Sequence, residues 1–278
     1  AGTYLQNSIL TVNQNNLTVR AENNTNKPVI TTDQTTVFDI NASEVSLIGL
    51  RIELGLTATT GKYGVVSTAN NFNKLEISSS EFISTSPAIP YGMVWDAFAV
   101  RLNSPSSTTQ EVTISNNTIG TATPTGNNVF GRGISIGSGS TDGPGGEIIN
   151  NEIKAYYAIQ AIRSNNELTI NGNTINGISM INAPLAGVNV LFEENMVDAV
   201  SATYAESLYS LVEIRSVENG NVTIQNNDFL NYVNIGLLSS ASKNVSVLTN
   251  TFTPEANADE FISIMANTKI MTNGVQGD

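Results

Sequence analysis

The apolar and polar positions of this chain fall into one recurring phrase. Two apolar residues flank a single variable one, two further positions follow, and then an asparagine stands two places before another apolar residue. It appears as Val112, Ile114, Asn117, Ile119 and again as Leu168, Ile170, Asn173, Ile175. Further copies are Val190, Phe192, Asn195, Val197, then Val222, Ile224, Asn227, Phe229, then Val245, Val247, Asn250, Phe252. A shorter copy, Ile148, Asn151, Ile153, lacks the leading apolar position. Two early copies replace the asparagine, with Ser80 after Leu75 and Ile77, and Leu50 after Val45 and Leu47. Alternation inside each phrase has period two, so one side of a short strand is buried. The alternating residues are β-branched or aromatic, which suits a half-buried pleated surface.

The closest asparagines are about 22 residues apart, a spacing that belongs to a β-solenoid. A second apolar run precedes most phrases, as at Phe98 to Val100, Ile134 to Ile136, Ile159 to Ile162, Leu211 to Ile214, Ile235 to Leu237 and Ile262 to Ile264. Each coil is therefore expected to carry at least two strands, and the whole chain about ten coils in a single all-β domain, 1–278. The corner asparagines Asn117, Asn151, Asn173, Asn195, Asn227 and Asn250 are expected to be structural. Asparagine tolerates the left-handed backbone that tight corners need, and stacked amides bond along a ladder.

This repeat resembles that of the right-handed, pectate-lyase-like parallel β-helix superfamily, and the resemblance covers most of the chain. Its opening, Gly2 to Tyr4 with Leu10, Val12, Leu17 and Val19, looks like the first coils of secreted polysaccharide lyases of this type. The resemblance implies a right-handed parallel β-helix and an extracellular or cell-surface setting. It also implies an affinity for polysaccharide, with a basic side chain on an outer face that abstracts a proton beside a uronate, and with calcium held by carboxylates. The covering helix usual at the start of such folds is missing, and the last apolar run is followed by only a short polar tail. The expectation is a processed product or a piece of a longer polypeptide; the alternative is that open ends stack on other copies.

Composition narrows the chemistry. The chain has no histidine or cysteine, 24 acidic against 12 basic residues, and a formal net charge of −12. Histidine triads, thiolate nucleophiles and Cys/His metal sites are absent. Nucleic acid is not expected as a partner, since phosphate binding requires clustered Lys and Arg, and no apolar run is long enough to span a membrane. No calcium-loop spacing occurs, and Asp142 beside Gly143 reads as a turn residue; no cofactor is expected. Sequons begin at Asn16, Asn23, Asn41, Asn116, Asn221 and Asn244, about as many as chance gives in a chain this rich in Asn, Ser and Thr.

Three sets of side chains are candidates for function. Arg101, Arg163 and Arg215 each follow an apolar strand residue, with Lys154 one corner from Arg163; they are weak candidates for a basic catalytic group, the other reading being solvated cations paired with Glu213 or Glu167. Adjacent Glu193 and Glu194 would point to opposite sides of a strand, and Asp96 with Glu111 is a conceivable carboxylate pair for hydrolysis. Long insertions, Thr85 to Asp96, Thr121 to Arg132 and Asp198 to Tyr209, carry Tyr91, Trp95, Phe130, Tyr204 and Tyr209. These rings either form a platform for sugars or fold back over the core. Two functions follow: a secreted or surface-displayed structural or adhesive rod able to stack into filaments, or a polysaccharide-binding module, lyase or glycosidase.

Overall fold

The computed structural model describes residues 2–23, 25–55, 61–67, 72–84, 93–103, 110–121, 129–198, 210–232, 234–254, 260–265 and 270–273. All its strand pairings are parallel, and the described residues contain no helix. The described residues wind through three faces per turn over ten turns, so the fold is a parallel β-helix. The third face is a separate ten-stranded sheet that starts with Thr18–Arg20 and Val45–Ile48 and ends with Val245–Leu248 and Ile270–Asn273. The first and second faces merge into one sheet because Glu152–Ile162 and Thr174–Asn182 run through both without a break. Each turn therefore has three strand segments where the sequence pattern required at least two.

Inward positions stack turn upon turn. On the second face Val65, Val100, Ile134, Ile159, Val212 and Leu237 are in register and fully buried. On the third, Leu75, Val112, Leu168, Val190, Val222 and Val245 fill the same wall. Such stacking turns the two-residue alternation into one continuous core along the axis, with each turn covered by its neighbours.

The recurrent asparagines lie at the corner from the third face to the first. Asn117, Asn151, Asn173, Asn195 and Asn227 are buried, and Asn250 is partly so. From Asn117 to Asn227, each donates its backbone N–H and its Nδ2 to the Oδ1 of the asparagine one turn on, at 2.9–3.1 Å. Each Nδ2 also reaches a carbonyl of the preceding turn, as from Asn173 to Ile148 at 2.9 Å. Ser80 continues the ladder backwards, donating its N–H to Asn117 Oδ1 and accepting from the Leu50 N–H on its own Oγ.

One expectation about these corners is corrected. The left-handed residue is the one before the ladder asparagine: Ser79, Asn116, Asn150, Gly172, Glu194, Asn226 and Thr249 have φ between 53° and 64°. The ladder residue has ordinary backbone because its amide must point inward to meet the next turn, while the turn itself is made one position earlier. Glu194, exposed at such a position, is thus turned away from Glu193, which accepts from Gln225 Nε2 at 2.9 Å.

Tyr232, just past the first-face strand Asp228–Leu230, is 2% exposed, and its hydroxyl has no hydrogen-bond partner among the described residues. Burial pushes its phenol up to about 12. The neutral form is favoured in the folded chain, so this contribution to stability is complete below the ordinary tyrosine value near 10 and is lost as the pH rises towards about 12. Tyr232→Phe is expected to leave stability at neutral pH unchanged or raised by up to about 1 kcal/mol, because it removes a buried, unsatisfied hydroxyl. Urea midpoints at pH 7 and pH 11 check this. The variant should gain on the wild type at the higher pH, and a loss at both would mean that the hydroxyl is satisfied.

Candidate functional site

The second face bends outside the core in the third to sixth turns. Gly64, Ala99, Gly133 and Ala158 stand in one file there, and a Cβ on Gly64 or Gly133 would come within 2.5–2.6 Å of the next turn's carbonyl oxygen. Only small residues fit the inside of this bend. The outward files on either side are brought towards each other: Tyr63, Phe98, Arg132 and Tyr157 on one side, Val66, Arg101, Ser135 and Gln160 on the other.

The result is a shallow groove of about 270 Å³ lined by Asp96, Phe98, Arg101, Arg132, Ser135 and Gln160, with the Gly137 to Gly139 corner at its edge. Its floor is a cation–aromatic stack. The Arg101 guanidinium lies 5.1 Å from the Phe98 ring centroid and 5.6 Å from that of Tyr63, and donates to the Tyr63 hydroxyl at 3.3 Å. Arg132 lies 4.8 Å from the Phe98 centroid, and its Nε donates to Gln160 Oε1 at 3.0 Å. Tyr63 and Phe98 stack on each other at 5.4 Å. Burial pulls the Arg132 guanidinium down from its ordinary value, and the Asp96 carboxylate 3.9 Å away acts in the opposite direction; the group remains charged at any physiological pH. Stacking fixes both planar cations, so little side-chain entropy remains to be lost when an anion is bound.

Beyond the groove the face continues with Tyr156 and Tyr157, whose rings meet edge to face at 5.1 Å. Burial pushes both phenols up, and the Glu213 carboxylate adds to this. They are therefore protonated donors at neutral pH. Glu213 sits in the eighth turn and receives Arg215 Nη2 at 2.7 Å.

Four of the six arginines of this acidic chain lie on the second face or at its outgoing corner. The structure sets Arg101, Arg163 and Arg215 on the same side, in the fourth, sixth and eighth turns, but not in one register file. Arg101 shares its file with Glu213, Arg215 lies two residues beyond, and Arg163 is at the left-handed corner (φ 52°), tied to Asp142 at 2.7 Å. Arg215 pairs with Glu213, as one of the two sequence readings has it. Lys154 lies on the first-face side of the bulge at Tyr157, and burial lowers its pKa.

Among the aromatic candidates, Phe130 is a core residue. It is fully buried in the file opposite Ala155, because the second-face strand starts at Val129, well before its apolar run at Ile134. Its ring is closed to any ligand. Trp95 falls on the strand Met93–Leu102, but its side chain is outside the described residues, as are Tyr91, Tyr204 and Tyr209 entirely. Asp96 lies on the second face and Glu111 begins a third-face strand, so the two do not face each other across the groove. Arg132, Tyr63, Gln160 and Tyr157 were not singled out by the sequence. The one available signal was Gly131-Arg132-Gly133, an arginine between glycines two positions before an apolar strand pair.

No protein-family model matches this chain, and no curated protein matches it. Among solved structures, the crystal structure of the Dettilon tailspike protein (gp208) superposes with a TM-score of 0.58 at 14% sequence identity. The match covers 95% of this chain and 52% of the tailspike, so the chain spans about half the length of that protein. At this identity the likeness is one of fold: this chain is a parallel β-helix similar to that of a phage tailspike.

Proposed function

We propose that this chain is a carbohydrate-binding β-helix whose second face holds an extended acidic polysaccharide. The observation that carries the reading is the pair Arg101 and Arg132, fixed against Phe98 in an open groove with Gln160 beside them. Guanidinium groups of this kind bind carboxylate or sulfate oxygens through paired N–H donors. Tyr63 and Tyr157, partly exposed along the same line, offer ring faces and hydroxyls to sugars. The fold likeness to a tailspike agrees with this reading, as does the extracellular or cell-surface setting expected from the sequence. The same observations favour binding over the purely structural rod that composition alone suggests.

Asp96 and Glu213 do not form a hydrolytic carboxylate pair. They are four turns apart, about 19 Å along the axis at the strand spacing, whereas glycosidic hydrolysis needs roughly 5 to 9.5 Å.

Retention on immobilised acidic and neutral glycans tests it. The wild type should be retained by polygalacturonate, alginate or chondroitin and not by a neutral glucan, and added salt should weaken retention, as expected for exposed charges. Arg132→Gln should reduce affinity roughly tenfold with its thermal midpoint unchanged, in line with the loss of a charge-assisted contact. Equal retention of wild type and variant would reject the groove as the site.

A further inference from the structure

We infer that ligand recognition extends to a second cationic subsite in the eighth turn, formed by Arg215 and positioned by the buried carboxylate of Glu213. This rests on the polysaccharide reading and deepens it by specifying the length of the ligand.

Glu213 is a buried carboxylate on the second face. It carries a charge in a withdrawn stretch of its file: Ser135, Gln160 and Met180 before it are buried, and its own side chain is only 5% exposed. A carboxylate withdrawn from water must be compensated. Here it accepts from Arg215 Nη2 at 2.7 Å and from Ser210 Oγ at 3.3 Å. Arg215 in contrast is 44% exposed. One end of its guanidinium is thus clamped by Glu213 and the rest is turned to solvent. Free surface lysines or arginines lose side-chain freedom when they bind a ligand; a clamped guanidinium has already lost it.

The clamp is continuous with the groove. Gln160, which holds Arg132, and Glu213, which holds Arg215, stand in the same file two turns apart. Between them in that file lies Met180, and Tyr157 stands three residues before Gln160 on the same strand. Tyr157 stands in the sixth turn, one turn on from Arg132 in the fifth and two before Arg215 in the eighth. From Arg132 in the fifth turn to Arg215 in the eighth is three turns, about 14 Å along the axis at the strand spacing. A monosaccharide or a short fragment reaches only one cation. An acidic oligosaccharide several sugars long reaches both, with its middle lying across Tyr157. The two contacts then act as linked sites, and the second adds affinity without a second loss of translational freedom.

The decisive experiment measures affinity for a size-graded series of oligogalacturonates, from disaccharide to dodecasaccharide, by calorimetry. The wild type should show a step of roughly tenfold or more once the fragment is long enough to bridge the two arginines. Arg215→Gln should remove the step, so that long fragments bind it no more tightly than short ones. Glu213→Gln should do the same, because an uncharged amide holds the guanidinium more weakly, and Arg215→Lys should restore the step only in part. A merely structural role for Glu213 would lower binding of short and long fragments alike. If short fragments bind, are lost in Arg132→Gln, and show no step that depends on Arg215, the second subsite is wrong and the groove stands. If no acidic fragment of any length binds, the polysaccharide reading fails with it.

Discussion

Asn173→Leu is expected to lower the stability of the β-helix by about 3–5 kcal/mol, the cost of leaving several buried groups without partners. Asn173 is 1% exposed and stands in the middle of the ladder. Its Oδ1 accepts the backbone N–H and the Nδ2 of Asn151, and its Nδ2 donates to Ile148 O, Asn171 O and Asn195 Oδ1. Leucine can make none of these bonds. The Asn151 N–H and the Ile148 carbonyl would be stranded in a corner closed to water, and the Asn195 amide would lose one of its two donors. Backbone strain adds nothing, because the left-handed position belongs to Gly172. The matching control is Asn221→Ser on the exposed side of the third face, expected to change stability by no more than about 0.5 kcal/mol. Urea midpoints of both variants provide the comparison. A Leu variant as stable as the control would show that the ladder is ornamental to folding.

Gly177→Ala should be of similar severity, with a loss of roughly 3 kcal/mol or more, and should weaken glycan binding too. Gly177 has φ +140°, a conformation that side chains avoid, and a Cβ there would overlap the carbonyl oxygen of Ala155 one turn below. No flexible side chain can move aside, since the obstacle is backbone. The two strands involved pass from the first to the second face, and their register slips on both sides of Tyr157. Tyr157 keeps its register with Arg132 on the other side, so the slip lies directly beneath its ring. Forcing the strands apart at Gly177 should displace that ring, so a folded fraction of the variant should bind acidic glycan less well than Arg215→Gln does. Full binding by the folded fraction would separate Tyr157 from the ligand path.

The ladder was legible in the sequence because its corner has fixed length. Every asparagine phrase uses the same short step between strands, so Asn117, Asn151, Asn173, Asn195, Asn227 and Asn250 repeat visibly whatever happens elsewhere in the turn. The binding face was less legible because turns differ in length. Insertions break the proportionality between sequence spacing and register, and nothing in the chain announces that Arg101, Gln160 and Glu213 share one file while Arg215 falls two positions further on. Arg132 was hidden in the same way, since it ends an insertion by sequence and starts a groove in space. Phe130 illustrates the converse. Its neighbours Asn127, Asn128 and Gly131 give it the surroundings of a loop, but the strand begins early and the small Ala155 opposite leaves room for a ring inside. The expected left-handed asparagine was displaced by one residue, because a corner needs one position to turn and another to bond inward.

Whether an acidic glycan lies along the second face is decided by a crystal structure of the complex with an oligogalacturonate long enough to bridge the two arginine subsites. Sugar density should run from the Arg101–Arg132 groove across Tyr157 towards Arg215, with acidic groups against the guanidinium ends. Density on the first or third face, with the Arg101–Arg132 groove filled by water, would contradict it.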